Sequence, residues 1–318
     1  MTLILSRRDI ARLMELPDWL DAVETGFRAV AEGRAQSPPP MAIEGQSGTF
    51  HAKGASLRGD RHYVALKLNG NFPDNPATRS LPTIQGAILL CDGETGTLLA
   101  IMDSIEVTLR RTAAATALAA RYLARPDSRT VLICGCGEQG RAQLLALQAV
   151  LPLSRVLLWD REPARAQAMA GEVVAEPGAA ALEADVIVTC TTARAPFLTP
   201  AMVQPGTFVA AVGADSPDKS EIEPALMAKA LVVADAIDQC AAMGDLHHAI
   251  DERAMDRSDV HAELAELVAG TRRGRTSDDQ ITLFDSTGTA VQDVAAAALI
   301  HERALAGDFA AVDLGAAA

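Results

Sequence analysis

The chain has 318 residues, with 28 Lys+Arg against 41 Asp+Glu, a formal charge of −13 and a pI near 4.9. Its 49% apolar, 22% charged and only 3% aromatic residues describe a globular protein of one large or two ordinary domains, with a core of Ala, Val, Leu and Ile. No basic stripe suits nucleic acid, no apolar run reaches the roughly 18 residues of a bilayer span, and MTLILSRRD lacks the form of a signal peptide, so a cytoplasmic protein is expected.

In chain order, residues 18–32 space Leu20, Val23, Phe27 and Val30 as a helix, with Asp18 as N-cap after Pro17. A proline loop, 37–40, follows. The segments 49–57, 62–70, 83–92 and 95–103 read as short strands with close turns, a mostly antiparallel or mixed sheet. Residues 105–124, rich in Ala and Leu without Gly or Pro, read as a long helix. Strands and helices then alternate: strand 131–137, helix 140–151, strand 155–160 and helix 163–173. Strands 185–191, 207–215, 230–236 and 280–288 precede a closing helix, 289–305. Apolar β-branched runs separated by helices indicate a parallel sheet covered on both faces. Residues 271–280 are a charged loop.

Five cysteines, odd in number and without C-x₂-C pairs, read as reduced thiols. Cys134 and Cys136 are either a redox or metal pair or small buried residues at a Gly turn. No metal site is expected, since His247, His248 and His261 lie in polar surroundings and Asp278-Asp279 lacks companion ligands.

Gly135-x-Gly137-x-x-Gly140 follows a strand and opens a helix. Such glycines allow a tight turn and close approach to a pyrophosphate, which the helix N-terminus stabilises. Asp160 closes the second strand, where a carboxylate accepts from ribose hydroxyls and repels a 2′-phosphate. That favours NAD(H). Arg161 beside it attracts such a phosphate, which leaves NADP(H) open. Asp215, at the carboxyl end of its strand, is either an acid/base group or a loop cap. Lys67, amid apolar residues, is either an edge charge or a site cation. One of Arg110 and Arg111 is expected to face solvent and the other to clamp an anion.

Together these residues resemble the ornithine cyclodeaminase/μ-crystallin family over nearly the whole chain. The resemblance rests on Lys67-Leu68-Asn69-Gly70 with Pro73 and Asn75, Leu81-Pro82-Thr83, Arg111-Thr112-Ala113-Ala114 and Gly135-Cys136-Gly137-Glu138-Gln139-Gly140. It continues in Val212-Gly213-Ala214-Asp215 with Lys219 and Glu221, and in Ser277-Asp278, Gln280, Phe284-Asp285-Ser286, Gly288 and Asp293.

The resemblance implies an α/β fold in two domains. A Rossmann dinucleotide-binding domain, 119–295, would join a smaller α+β substrate and dimerisation domain, 1–118 with 296–318. The active site would lie in the cleft between them, and the protein would be a homodimer. Lys67 and Arg111 would bind the substrate carboxylate, Asp215 would handle the proton at the substrate nitrogen, and Lys67 would sit close to the reacting carbon. Thr83, Thr191, Lys219 and Ser286 would surround the nicotinamide ribose and substrate, with Arg111 also near the cofactor. Gly135, Gly137, Glu138, Gln139 and Gly140 would cradle the pyrophosphate, Asp160 and Arg161 the adenosine ribose, and Val209 to Val212 the nicotinamide.

Cyclodeaminases carry a further arginine in a proline-containing segment after the first helix. Here Pro38-Pro39-Pro40-Met41-Ala42 supplies no cation, and Lys53, or less directly His51, is the nearest replacement. The implied activity is therefore NAD(P)H-dependent reduction of a small α-imino acid, with Δ1-pyrroline-2-carboxylate to L-proline first. Cyclodeamination of ornithine or lysine, an amino-acid dehydrogenase or iminosuccinate-type reductase, and a non-enzymatic NADPH and small-ligand binder remain as alternatives.

Overall fold

A computed structural model describes residues 1–314 of the chain. Two compact units emerge: Met1–Thr112 with the segment from Thr289, and Ala113–Gly288. The cuts read from sequence, after 118 and 295, fall a few residues further along the chain than these.

The first unit begins β1 (Thr2–Leu5), α1 (Arg7–Leu13) and α2 (Leu16–Ala31). Glu15, not Asp18, caps α2. Asp18 sits three residues inside, where its carboxylate reaches back to the Glu15 N–H at 2.7 Å and closes a capping box. Next come β2 (Ala35–Gln36), β3 (Met41–Glu44), β4 (Thr49–Arg58), β5 (His62–Asn71), α3 (Asn75–Arg79), β6 (Ile84–Asp92) and β7 (Leu98–Asp103). β4 to β7 form an antiparallel meander, which β1 joins parallel to β7.

The boundary with the second unit falls inside α4 (Ser104–Leu123). The second unit continues β8 (Thr130–Cys134), α5 (Glu138–Gln148), β9 (Arg155–Trp159), α6 (Pro163–Gln167), β10 (Glu172–Val173), α7 (Pro177–Ala181), β11 (Val186–Thr189) and β12 (Arg194–Leu198). Then follow β13 (Phe208–Ala211), β14 (Ser220–Ile222), α8 (Pro224–Lys229), β15 (Leu231–Ala234), α9 (Ile237–Met243), α10 (Asp245–Asp251), β16 (Ala262–Glu263), α11 (Leu264–Val268) and β17 (Thr282–Asp285). The chain then returns to the first unit with α12 (Ala290–Ala304) and β18 (Ala311–Val312). The helix expected over 163–173 stops at Gln167, because Glu172 and Val173 pair with Leu157 and Leu158 as an edge strand.

The second unit is a Rossmann-type sheet, all parallel, in the order β10-β9-β8-β11-β13-β17-β15-β16. Its central strands are fully buried and mostly apolar, as sheets covered on both faces require. From β8 the chain winds outward through β9 and β10, then returns to the other side at β11. The switch point is where such folds bind nucleotides.

In the first unit α12 packs on β4, β5 and β6, and α2 packs on α12. A Cβ at Gly26 of α2 would lie 3.2 Å from the Ala295 Cβ of α12. Small residues thus allow close helix approach, and so few aromatic rings suffice. No helix among the described residues is long and apolar enough to cross a membrane.

Candidate active site

In the first unit, β5 alternates from Tyr63 to Leu68. Tyr63, Ala65 and Lys67 are buried while Val64, Leu66 and Leu68 are exposed. The pleat sends Lys67 inward toward α12, where it meets Asp293. Lys67 Nζ lies 2.6 Å from Asp293 Oδ2, and Arg111 Nε, from α4, lies 3.1 Å from Oδ1. Arg111 Nη1 also donates to Gln292 Oε1 at 3.0 Å, and Lys67 Nζ to Thr108 Oγ1 at 3.4 Å.

Lys67 and Arg111 are each 4% exposed, and Asp293 1%. Burial pushes the Lys67 ammonium down to about 7, against the pull of Asp293 and with help from Arg111 and Lys53. Burial also opposes charge on Asp293, but Lys67 and Arg111 outweigh it and hold the carboxyl below its usual range. Lys53 sits opposite Lys67 in register, whereas His51 opposes Asn69 in the next row. Lys53, Lys67 and Arg111 set against Asp293 make a net positive cluster, suited to a small carboxylate.

Of the two adjacent arginines, Arg110 is half-exposed and bonded to Glu106 at 2.8 Å, so Arg111 is the inward one. Thr83 is half-buried, its carbonyl accepting the Phe72 N–H at 2.8 Å. Met41 and Ala42, where the further arginine is missing, lie on β3, exposed and paired with Ala52 and His51.

In the second unit the three loop glycines have distinct roles. Gly135 has φ +102°, and a Cβ there would meet the Cys190 carbonyl at 2.6 Å. A Cβ at Gly140 would meet the Gly135 carbonyl at 2.0 Å, so the loop turns against the helix itself. A Cβ at Gly137, the N-cap of α5, would meet nothing within 4 Å. That open side is where a pyrophosphate can approach backbone. Gln139 adds a buried side-chain Nε2 with no partner. The residues therefore fit a dinucleotide.

Asp160 braces the loop, Oδ2 accepting the Cys136 N–H at 2.7 Å and Oδ1 the Glu162 N–H at 2.8 Å. Arg161 beside it is exposed. Burial pushes the Cys136 thiol up to about 11 and the Cys134 thiol well above its ordinary value. Protonated buried thiols beside the turn are poor metal or redox groups.

Val209 is wholly buried within β13, and the Val212 N–H makes the last ladder bond, 2.8 Å to the Thr189 carbonyl. Beyond it, Asp215 Oδ1 accepts from Lys219 Nζ at 2.5 Å, with the Asp215 side chain 53% exposed. Ser286 turns its hydroxyl to Asp235 Oδ2 at 3.3 Å. His248, expected in polar surroundings, contacts the Lys219 carbonyl through Nε2 at 2.8 Å.

Sequence reasoning gave no role to Asp293, Gln292 or Glu221. The available signal for the first two was a Gln-Asp pair ahead of the apolar run 294–300 of the closing helix.

Residues 1–308 match the model of the ornithine cyclodeaminase/mu-crystallin family. The chain belongs to that family. It is 39% identical over 306 residues to a Delta(1)-pyrroline-2-carboxylate reductase of Paracoccus denitrificans, covering 91% of this chain and 93% of that one. Among solved structures it resembles an archaeal alanine dehydrogenase dimer with bound NAD, at TM-score 0.92 and 36% identity, covering 99% of each chain. It also resembles Thermococcus litoralis Delta(1)-pyrroline-2-carboxylate reductase in complex with NADH and L-proline. There the TM-score is 0.91 and the identity 32%, covering 96% of this chain and 98% of that one. The α/β Rossmann-type fold and the family membership agree with the sequence motifs.

Proposed function

We propose that the protein is an NAD(H)-dependent reductase of small α-imino acids, with Δ1-pyrroline-2-carboxylate as leading substrate and L-proline as product. The observation that carries this reading is the buried Lys67–Arg111 pair, which is set against a single carboxylate, Asp293. The likeness to a pyrroline-carboxylate reductase over nearly the full length supports the cyclic substrate.

Arg111 offers a planar fork and Lys67 a point charge, so together they fix the substrate carboxylate. Gly135, Gly137, Glu138, Gln139 and Gly140 hold the pyrophosphate, and Asp160 the adenosine ribose. A carboxylate at that place repels a 2′-phosphate, so NADH is expected to outperform NADPH. Val209 to Val212, Thr191 and Lys219 serve the nicotinamide half. The bound cofactor supplies a hydride. Asp215, held by Lys219 and open to water, passes a proton taken from solvent to the substrate nitrogen.

A spectrophotometric screen of imino acids with both reduced cofactors tests the reading. Oxidation of NADH with Δ1-pyrroline-2-carboxylate is expected. Release of ammonia from ornithine without such oxidation would show a cyclodeaminase instead. Lys53, in register with Lys67, favours a second reading, a dicarboxylic substrate such as iminosuccinate. Faster turnover of that substrate would establish it.

Charge on Lys67 sets a pH dependence. The free ammonium loses its proton near pH 7, and a bound carboxylate holds that proton on. Affinity for L-proline, measured with cofactor present, should therefore be flat below that point and fall above it, approaching about tenfold per pH unit. Lys67→Met should abolish the slope.

The outer face of the first unit's sheet is apolar, with Ile4, Val64, Leu66 and Leu68 all 37–47% exposed. A contiguous apolar sheet face marks an association surface, and a second copy of the chain is its proposed occupant. The dimeric state named for the archaeal alanine dehydrogenase structure supports this. Light scattering should give a dimer for the parent and a monomer for Leu66→Asp. A monomeric parent would refute the assignment.

A further inference from the structure

Glu221 lies at the centre of β14 and is wholly buried, yet neither substrate nor cofactor binding has been assigned to it. Its carboxylate spans the ends of two neighbouring strands. Oε1 accepts from the Thr191 N–H at 2.6 Å and from Thr191 Oγ1 at 2.7 Å, and Oε2 accepts from the Gly213 N–H at 2.9 Å.

The position of these bonds is informative. The β11–β13 ladder ends with the bond from Val212 N–H to the Thr189 carbonyl. Beyond that point the strands must part to make room at the carboxyl edge of the sheet. The N–H groups of Thr191 and Gly213 then need an acceptor that neither strand provides. Glu221 serves both. The fit has no slack: a Cβ at Gly213 would lie 2.5 Å from the Glu221 carboxyl carbon and 2.5 Å from the Thr191 carbonyl. Asp245, at the start of α10, anchors the strap from behind by accepting the Glu221 and Ile222 N–H groups at 2.8 and 3.0 Å.

We propose that Glu221 is a positioning residue that ties Thr191 to Gly213 and so sets the nicotinamide end of the cofactor cradle and the start of the Asp215 segment. The inference rests on the cofactor reading given above. Three donors converge on two oxygens, which suits an ionised carboxylate that only accepts. A glutamine offers one accepting oxygen, and its amide group meets an N–H donor head-on.

The arrangement is also sensitive to protonation. Burial, reinforced by Asp245, pushes the Glu221 carboxyl up to about 7. Burial likewise takes Asp245 to about 6. The other titratable groups facing Glu221 are the Cys134 thiol of β8 and the Cys190 thiol after β11, both pushed well above their ordinary value by burial and neutral in this range. As pH falls through about 7, the strap therefore loses the charge that its three donors require.

The test compares parent, Glu221→Gln and Glu221→Asp in two ways. Amide hydrogen exchange is followed at Thr191 and Gly213 in the cofactor-free chain, and affinities are measured for NADH and for ADP-ribose, which lacks the nicotinamide. Glu221→Gln is expected to speed exchange at both amides and to weaken NADH about tenfold or more, while ADP-ribose binding stays within about twofold. Parent affinity for NADH should drop as pH falls from about 8 to 6, with ADP-ribose unchanged. Glu221→Asp, which keeps the charge, should recover part of the loss.

Equal loss of both ligands, or no change in either, would overturn the proposal. If Glu221→Gln does not fold, the parent's pH profile decides: equal slopes for NADH and ADP-ribose refute the strap. The binding readouts need no substrate. A parent that binds NADH but reduces no imino acid overturns the substrate reading alone, whereas a parent that binds neither ligand overturns both.

Discussion

Asp215→Asn should lower the rate of imine reduction by about 10²–10⁴-fold, the usual contribution of a positioned proton-transfer group, and leave NADH affinity within about twofold. The carboxylate stands past the end of β13, 53% exposed, with one oxygen held by Lys219 at 2.5 Å. Asparagine has nearly the same shape and keeps an oxygen for Lys219, so the loop should persist. What it lacks is a group that can carry the proton to the substrate nitrogen. Single-turnover oxidation of pre-bound NADH separates this step from binding and release. Lys219→Met should have a smaller effect, since it removes one contact of the carboxylate and not the carboxylate itself. Full activity in Asp215→Asn would remove Asp215 from the mechanism. A parent that binds cofactor but shows no turnover with any imino or amino acid would instead indicate a binding protein.

The cofactor half was legible because its constraint is local. Gly135 needs a positive φ and Gly140 a missing Cβ, and both demands arise within six consecutive residues. The strand, turn and helix around them follow the same short-range logic, and Asp160 is a fixed number of strand residues away. The parallel order β10-β9-β8-β11-β13 follows from alternating apolar runs and helices. The insertion of β17 between β13 and β15 does not, because it depends on which buried strands pair across about 50 residues or more of chain.

The substrate half was legible only in part. Lys67 stood out as a charge in an apolar strand, but its partner lies 226 positions away on α12. No periodicity links the two. Glu221 was visible as part of a motif, yet its role depends on two strand ends that meet only in three dimensions. The very short strands β2, β10, β16 and β18 carry too few residues for any alternation to register. Asp18 was misplaced as a cap because a capping box exchanges two acidic side chains, and sequence alone does not say which of Glu15 and Asp18 starts the helix.

Asp293→Asn should destabilise the first unit by about 3–5 kcal/mol, the cost of leaving a buried charge without its partner. Lys67 at 2.6 Å and Arg111 at 3.1 Å share this one carboxylate, and all three side chains are at most 5% exposed. Arg111 still has the Gln292 oxygen, but a neutral amide does not balance a guanidinium. Lys67 has an escape that Arg111 lacks, because it can release its proton. Its ammonium already sits near 7, and loss of Asp293 lowers it further. The deficit should therefore be larger near pH 6 and shrink as pH rises past 7, where neutral Lys67 no longer needs an anion. At acid pH the sign follows from the depressed Asp293 carboxyl: its contribution is present above the ordinary carboxylate range and is lost as pH falls below it. The two tryptophans make the measurement local. Trp19 is buried on α2, which packs on α12, and Trp159 lies on β9 of the second unit. In urea, the Trp19 transition of a Trp159→Phe background should shift to lower denaturant, and the Trp159 transition of a Trp19→Phe background should move less. A variant as stable as the parent at pH 6, or a deficit that grows with pH, would show that Lys67 and Arg111 are not held by this carboxylate.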